Sequence, residues 1–201
     1  MLIRREEKDE IIWGIWHIEE STDYLLSQLL VKDFAHIISS EKRLKEQTAV
    51  RILLKALIGE EKVIGYSSNG KPYLTDNSYA ISISHTKGYA AVILSKNKRV
   101  GIDIEYMSEK VKRVRDKFIS ENEYIDPDNE TVHLLLHWSA KETIYKALGL
   151  MGVDFKEDLF IERFAPYTSG YFNAKERFSD EEHDFKIQYF VEKDYVLTLT
   201  Y

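Results

Sequence analysis

Val100-Gly101-Ile102-Asp103-Ile104-Glu105-Tyr106 is the stretch on which the reading of this chain turns. Branched apolar residues alternate with Gly101, Asp103 and Glu105, the period-two pattern of a strand. Side chains two apart on a strand point to the same side. The pattern therefore predicts that Val100, Ile102 and Ile104 face a core while Asp103 and Glu105 stand side by side on an outward face. Adjacent carboxylates repel unless a proton or a cation lies between them. A solvated acidic face and a cation site both satisfy this stretch, so the rest of the chain must decide.

Working outward, the two halves of the chain repeat each other. Ser78–Ser95 aligns without gaps on Asp184–Tyr201, each reading as a strand, a turn and a strand. Thr48–Leu57 aligns on Ser139–Leu148 at helical spacing, and Trp13–Ile18 aligns on Val100–Glu105. A strand, a helix and a hairpin each find a counterpart, which a chance match would not give in register. The expected fold is α+β, a pseudo-dimer of two lobes, 1–95 and 96–201. Each lobe is a small antiparallel sheet packed with a long helix, and the active site lies in the cleft between them. Further expected elements are a helix containing Leu25, Leu26, Leu29 and Leu30, one opening at Ser39-Ser40-Glu41 and closing at Gly59, a short helix over 111–119, and a long helix over 132–148 closed by Gly149. The segment 152–182 reads as irregular.

The repeat also shows where the halves differ. Asp103 and Glu105 correspond to Trp16 and Ile18, and Glu142 corresponds to Arg51. Acids stand in one copy only, which a general need for solubility does not explain. On the long helix, Trp138, Glu142, Tyr145 and Lys146 share one face by their spacing. Read plainly, Glu142 and Lys146 are a surface pair at i, i+4. Taken with the strand acids, three carboxylates and nearby lysines fit a hard divalent cation gripping a phosphate.

These two motifs, Val100–Glu105 and Trp138-Ser-Ala-Lys-Glu-Thr-Ile-Tyr-Lys146, resemble the signature pair of the 4′-phosphopantetheinyl transferases. The length and the internal repeat resemble the two-lobed, surfactin-synthetase-activator type. Gly70-Lys71-Pro72 and Ile83-Ser84-His85 are similar to that family's coenzyme A-binding motifs. The resemblance implies that Asp103, Glu105 and Glu142 bind Mg²⁺, and that Lys141 and Lys146 contact the phosphates of coenzyme A. Lys71, Ser84 and His85 would hold its 3′-phosphoadenosine end or diphosphate, assisted by a basic residue of the first-half helix, Arg43, Lys45 or Arg51. It further implies that a carrier-protein serine attacks coenzyme A, with Glu142, Lys146 and Asp103 as the catalytic group. A non-catalytic module binding coenzyme A or a nucleotide, and a Mg²⁺-dependent phosphodiester hydrolase, are the other readings.

Composition narrows the remaining classes. The 201 residues carry a net charge of −6, which gives no reason to expect nucleic acid as a partner. There is no cysteine, which excludes disulfides, thiolate metal sites and a cysteine nucleophile. Met1–Glu10 bears both signs of charge, and the apolar run 11–18 is too short for a signal peptide or a membrane span. A cytoplasmic monomer is expected. Lys110, Lys112, Arg113, Arg115 and Lys117 form a basic run that would attract an acidic apo acyl or peptidyl carrier protein, with Phe118 as an apolar contact. His133 and His137 have the i, i+4 spacing of a zinc pair, but no third ligand has the right context. They are read as structural.

Overall fold

The structure, a computed structural model, describes residues 1–149 and 151–201. The chain divides into two compact units, Met1–Val100 and Gly101–Tyr201.

The first unit opens with strand β1 (Leu2–Lys8), paired antiparallel with β2 (Ile11–His17). A short helix α1 (Thr22–Ser27) follows, capped by the Ser21 side chain. Helix α2 (Glu41–Ile58) starts where the Ser40 hydroxyl accepts from the Arg43 amide and stops at Gly59, whose φ of 82° suits a residue without Cβ. A small ladder, β3 (Ile64–Tyr66) with β4 (Pro72–Leu74), leads to the hairpin β5 (Ala80–Thr86) and β6 (Tyr89–Ser95). The main sheet has the order β1-β2-β6-β5. Helix α2 lays Val50, Leu53, Leu54 and Leu57 over Ile12, Ala90, Val92 and Leu94.

In the second unit, β7 (Gly101–Tyr106) is followed by a 3₁₀ segment, Glu109–Lys117, and by helix α3 (Glu130–Leu148). Four strands complete it: β8 (Leu159–Ile161), β9 (Ser169–Glu176), β10 (His183–Val191) and β11 (Tyr195–Thr200). The sheet order is β7-β11-β10-β9-β8, antiparallel throughout. Helix α3 packs Leu136, Ala140 and Ile144 into a core with Val196, Ile187 and Tyr189.

The α+β class read from sequence is the class observed. The repeated pieces also occupy equivalent places within their own units. Strands β2, β6 and β5 neighbour one another in the order that β7, β11 and β10 follow. The two hairpins keep one register, Ser82 opposite Ile93 and Gln188 opposite Leu199. One difference is a slide of two residues. Gly14 faces Val92, whereas Gly101 faces Thr200 rather than Thr198, the hairpin equivalent of Val92. An even slide keeps every side chain on its face.

Several expectations are corrected. The N-terminal charged stretch is β1, an edge strand whose Arg4–Glu6 and Arg5–Glu7 pairs on alternate faces hide the period-two signal. The helix expected to include Leu29 and Leu30 ends at Ser27, and Leu30 is 88% exposed. The short helix expected over 111–119 is the 3₁₀ segment, and the segment read as irregular contains β8 and β9.

Candidate functional site

In the second unit, β7 and α3 approach closely because position 101 is glycine. A Cβ there would overlap the Thr143 carbonyl oxygen and come within 3.1 Å of the Ala147 Cβ. Ser139 and Thr143 fix the contact from the helix side. Ser139 Oγ reaches the Asp103 carbonyl at 3.3 Å and Thr198 Oγ1 at 2.8 Å, and Thr143 Oγ1 donates to the Thr198 carbonyl at 3.1 Å. These hydroxyl contacts seat the helix on the strand pair.

The face of β7 that meets α3 is the face of Gly101, Asp103 and Glu105. The sequence reading placed the two acids outward, and this is corrected: Asp103 is only 3% exposed. Ile102 and Ile104 on the other face are also buried, so β7 has no solvent-facing side. An alternating pattern tells one face from another but not which of them meets a helix. Asp103 Oδ1 accepts from Lys146 Nζ at 2.6 Å, and Glu105 Oε1 accepts from Trp138 Nε1 at 2.8 Å. Trp138 is held edge-on to Phe118 at 5.3 Å.

Electrostatics show three acids acting on one another. Burial, reinforced by the charge of Asp103, pushes the Glu105 carboxyl up to about 7 against the Trp138 hydrogen bond. Burial and Asp103 also raise Glu142, with Lys146 opposing. Strand and helix thus bring Asp103, Glu105, Glu142 and Lys146 together. Among the described residues, no three His, Asp or Glu side chains are gathered closely enough to hold a metal ion. The donor chemistry suits a hard cation, since all three are carboxylates whose mutual repulsion it would relieve. The Lys146 ammonium partly neutralises Asp103.

Other expected residues separate from this group. Lys141 does not join Lys146, five positions further along the helix and well round from it. It is completely buried, donating to Glu123 Oε2 at 2.8 Å, to the Phe118 carbonyl at 2.5 Å and to the Phe155 carbonyl at 2.8 Å. A lysine so enclosed cannot reach a phosphate, and that expectation is withdrawn. Glu123, which the sequence did not single out, also accepts from the Ser120 and Ile161 amides. Phe118 is fully buried, which removes it as an exposed contact for a partner. His133 Nδ1 accepts from the Asp126 amide at 2.9 Å, and His137 donates to the His133 carbonyl. Both rings lie against Phe164, in keeping with a structural role.

In the first unit, His85 lies near the end of β5, with Nδ1 3.5 Å from Glu46 of α2, and Ser84 beside it is buried. Lys71, in the β3–β4 turn, is lowered by burial and by the positive charge of Arg99. Arg99 is a basic neighbour that the sequence reading missed; its place at a strand end carried no periodic signal. Arg51 points elsewhere than Glu46: its guanidinium stacks on Phe34 at 3.7 Å and donates to the Gln47 carbonyl.

The fold is α+β, with three mutually repelling carboxylates and a lysine gathered where β7 packs on α3. A family model described as the 4′-phosphopantetheinyl transferase superfamily matches residues 99–200, just over half the chain and every strand of the second unit. The chain belongs to that superfamily. It is also similar to the 4′-phosphopantetheinyl transferase gsp of Aneurinibacillus migulanus, 36% identical over 85 residues, 40% of this chain. That match spans 35% of the relative's length. No helix among the described residues is long and apolar enough to cross a membrane.

Proposed function

We propose that this protein transfers the 4′-phosphopantetheine group from coenzyme A to a serine of an apo acyl or peptidyl carrier protein, releasing adenosine 3′,5′-bisphosphate. The observation that carries the reading is the ion pair of Lys146 with Asp103, and the mutual repulsion of Asp103, Glu105 and Glu142, where β7 packs on α3. In the balanced step, the serine oxygen bonds to the β-phosphorus. The bond from that phosphorus to the bridging oxygen breaks, and the bisphosphate leaves with the electron pair.

Asp103, Glu105 and Glu142 would hold Mg²⁺. Bound there, the ion would neutralise charge that develops on the diphosphate. Glu142, with its raised pKa, is the candidate to take the serine proton. Lys146 would pair with a phosphate oxygen. Trp138 orients Glu105 through its indole hydrogen bond.

From the first unit, Lys71, Ser84 and His85 would receive the nucleotide end of coenzyme A, with Arg99 adding positive charge beside Lys71. Arg51 is left out because its guanidinium stacks on Phe34 and lines a cavity whose walls include none of Lys71, Ser84 and His85. In this reading the first unit supplies coenzyme A contacts, the second supplies the acids, the two pack as a pseudo-dimer around a cleft, and the protein works as a monomer in the cytoplasm. Lys112, Arg113 and Arg115 are exposed and would attract the carrier protein, although Glu130 already meets Lys112 and Arg115.

Incubation with coenzyme A, Mg²⁺ and several apo carrier proteins, followed by intact mass measurement of the carrier, tests the reading. A phosphopantetheine mass gain is expected. No gain on any carrier would refute transfer, and bisphosphate release without a carrier would show hydrolysis instead.

A further inference from the structure

A cavity of about 240 Å³ lies in the first unit. Leu29, Val31, Phe34, Ile37, Val63 and Ile64 give it apolar walls. Several of these are more exposed than apolar side chains of a core: Ile37 is 77% and Val63 51% exposed. Arg51 lines the same cavity.

The charges around it are unevenly answered. Glu61 is taken up by Lys55 at 2.9 Å and by the Leu30 and Val31 amides. Lys62 is held between Glu60 and Asp76. Asp33 is exposed to solvent. Arg51 has only neutral partners: the Gln47 carbonyl and Gln47 Oε1, each at 3.0 Å, and the Tyr66 hydroxyl, which also donates to that same Oε1. Among the described residues, no carboxylate lies within 4.0 Å of it. Arg51 is nevertheless only half-exposed, and that burial lowers its pKa. A guanidinium has five donors in a planar fork, and the Gln47 contacts employ one nitrogen, Nη1.

We infer that this cavity binds a small monocarboxylate with an apolar body, its head on the remaining donors of Arg51 and its chain along Phe34, Ile37 and Val63. A fork of donors pairs with a carboxylate in two-point fashion. The apolar walls favour a chain, and a volume of this size accommodates roughly six to eight carbons. A bare inorganic anion would leave those walls unused, and a neutral chain would leave the guanidinium unanswered. The site stands independently of the transfer reading.

Isothermal titration calorimetry of the whole protein with octanoate tests the inference. Saturable binding is expected, weakened at least about tenfold by Arg51→Gln. Replacing octanoate with 1-octanol should cost a similar factor, and acetate should not bind measurably. Val63→Asp, at an exposed position, should weaken octanoate while leaving the thermal transition in place. Absence of binding, equal binding by Arg51→Gln with its fold intact, or equal binding of acetate would overturn the inference. So would displacement of octanoate by coenzyme A, which would assign Arg51 to the nucleotide site instead.

Discussion

Lys141 and Lys146 belong to one helix and one sequence motif, and their surroundings give them opposite duties. Lys146 is about a quarter exposed and grips Asp103; Lys141 is sealed against Glu123. The sequence marks both as motif lysines. Lys141 also falls on the stripe His137, Lys141, Ile144, Leu148, whose spacing is that of the packed face. That signal was legible, but a charged residue is rarely read as core. Removing one partner of a buried pair leaves the other charge uncompensated. Lys141→Met should therefore destabilise the protein by about 3–5 kcal/mol in urea melts, and adding Glu123→Gln should restore much of the loss. A Lys141→Met variant of unchanged stability with weakened coenzyme A binding would reverse this assignment. Asp103→Asn keeps the shape of its side chain and removes the charge. It should lower the transfer rate by at least about 100-fold and cost less stability than Lys141→Met, because Lys146 stays partly exposed and the repulsion of Asp103 with Glu105 and Glu142 is relieved, as followed by carrier mass gain and calorimetry.

At the level of elements, the acids are useful only because a helix can lie directly on the strand that carries them. Gly101 permits that approach; at Gly14 in the first unit a Cβ would meet the Arg4 carbonyl oxygen of β1 at 2.7 Å and Leu57 Cδ2 of α2 at 2.9 Å. Gly101→Ala should cost about 3 kcal/mol or more, because the obstacle is helix backbone that cannot swing aside. Gly88→Ala, at φ 77° in the β5–β6 turn, where a Cβ would meet only the His17 ring at an ordinary 4.0 Å, should cost only about 1 kcal/mol. Equal losses at the two glycines would contradict the close-approach account. Helix ends were legible from Ser40, Gly59 and Gly149, because capping is local chemistry. Strands β1 and β9 were not legible. Their pairing partners lie in other strands, and charged side chains on both faces erase the alternation.

For the whole molecule, the repeat of strand, helix and hairpin was readable because each unit's sheet and helix repeat the same packing demand. The two-residue slide was not, since an even shift changes no side-chain face. Stability across the whole chain should depend on pH through α3. Burial pushes His133 down to about 4 and holds His137 well below its ordinary value. Above about pH 6.5 neither state gains a proton at His133, so it contributes no dependence. As pH falls from about 6.5 towards 4, the unfolded chain takes a proton that the folded chain refuses. Stability should then drop by on the order of 2–3 kcal/mol. Denaturant midpoints at pH 7.5 and 5, compared between the protein and His133→Gln, would measure this; identical slopes would exclude the histidine as the cause.

The indole of Trp138 ends on Glu105, and the other two tryptophans, Trp13 and Trp16, belong to the first unit. That hydrogen bond gives the protein a built-in optical probe. An ion drawn to Glu105 should alter the electric field along the indole N–H and shift its emission. A Mg²⁺ titration followed by tryptophan fluorescence should show the change in the native chain and lose it in Trp138→Phe. The acids could then be watched while coenzyme A and carrier are added one at a time, with no label attached to either.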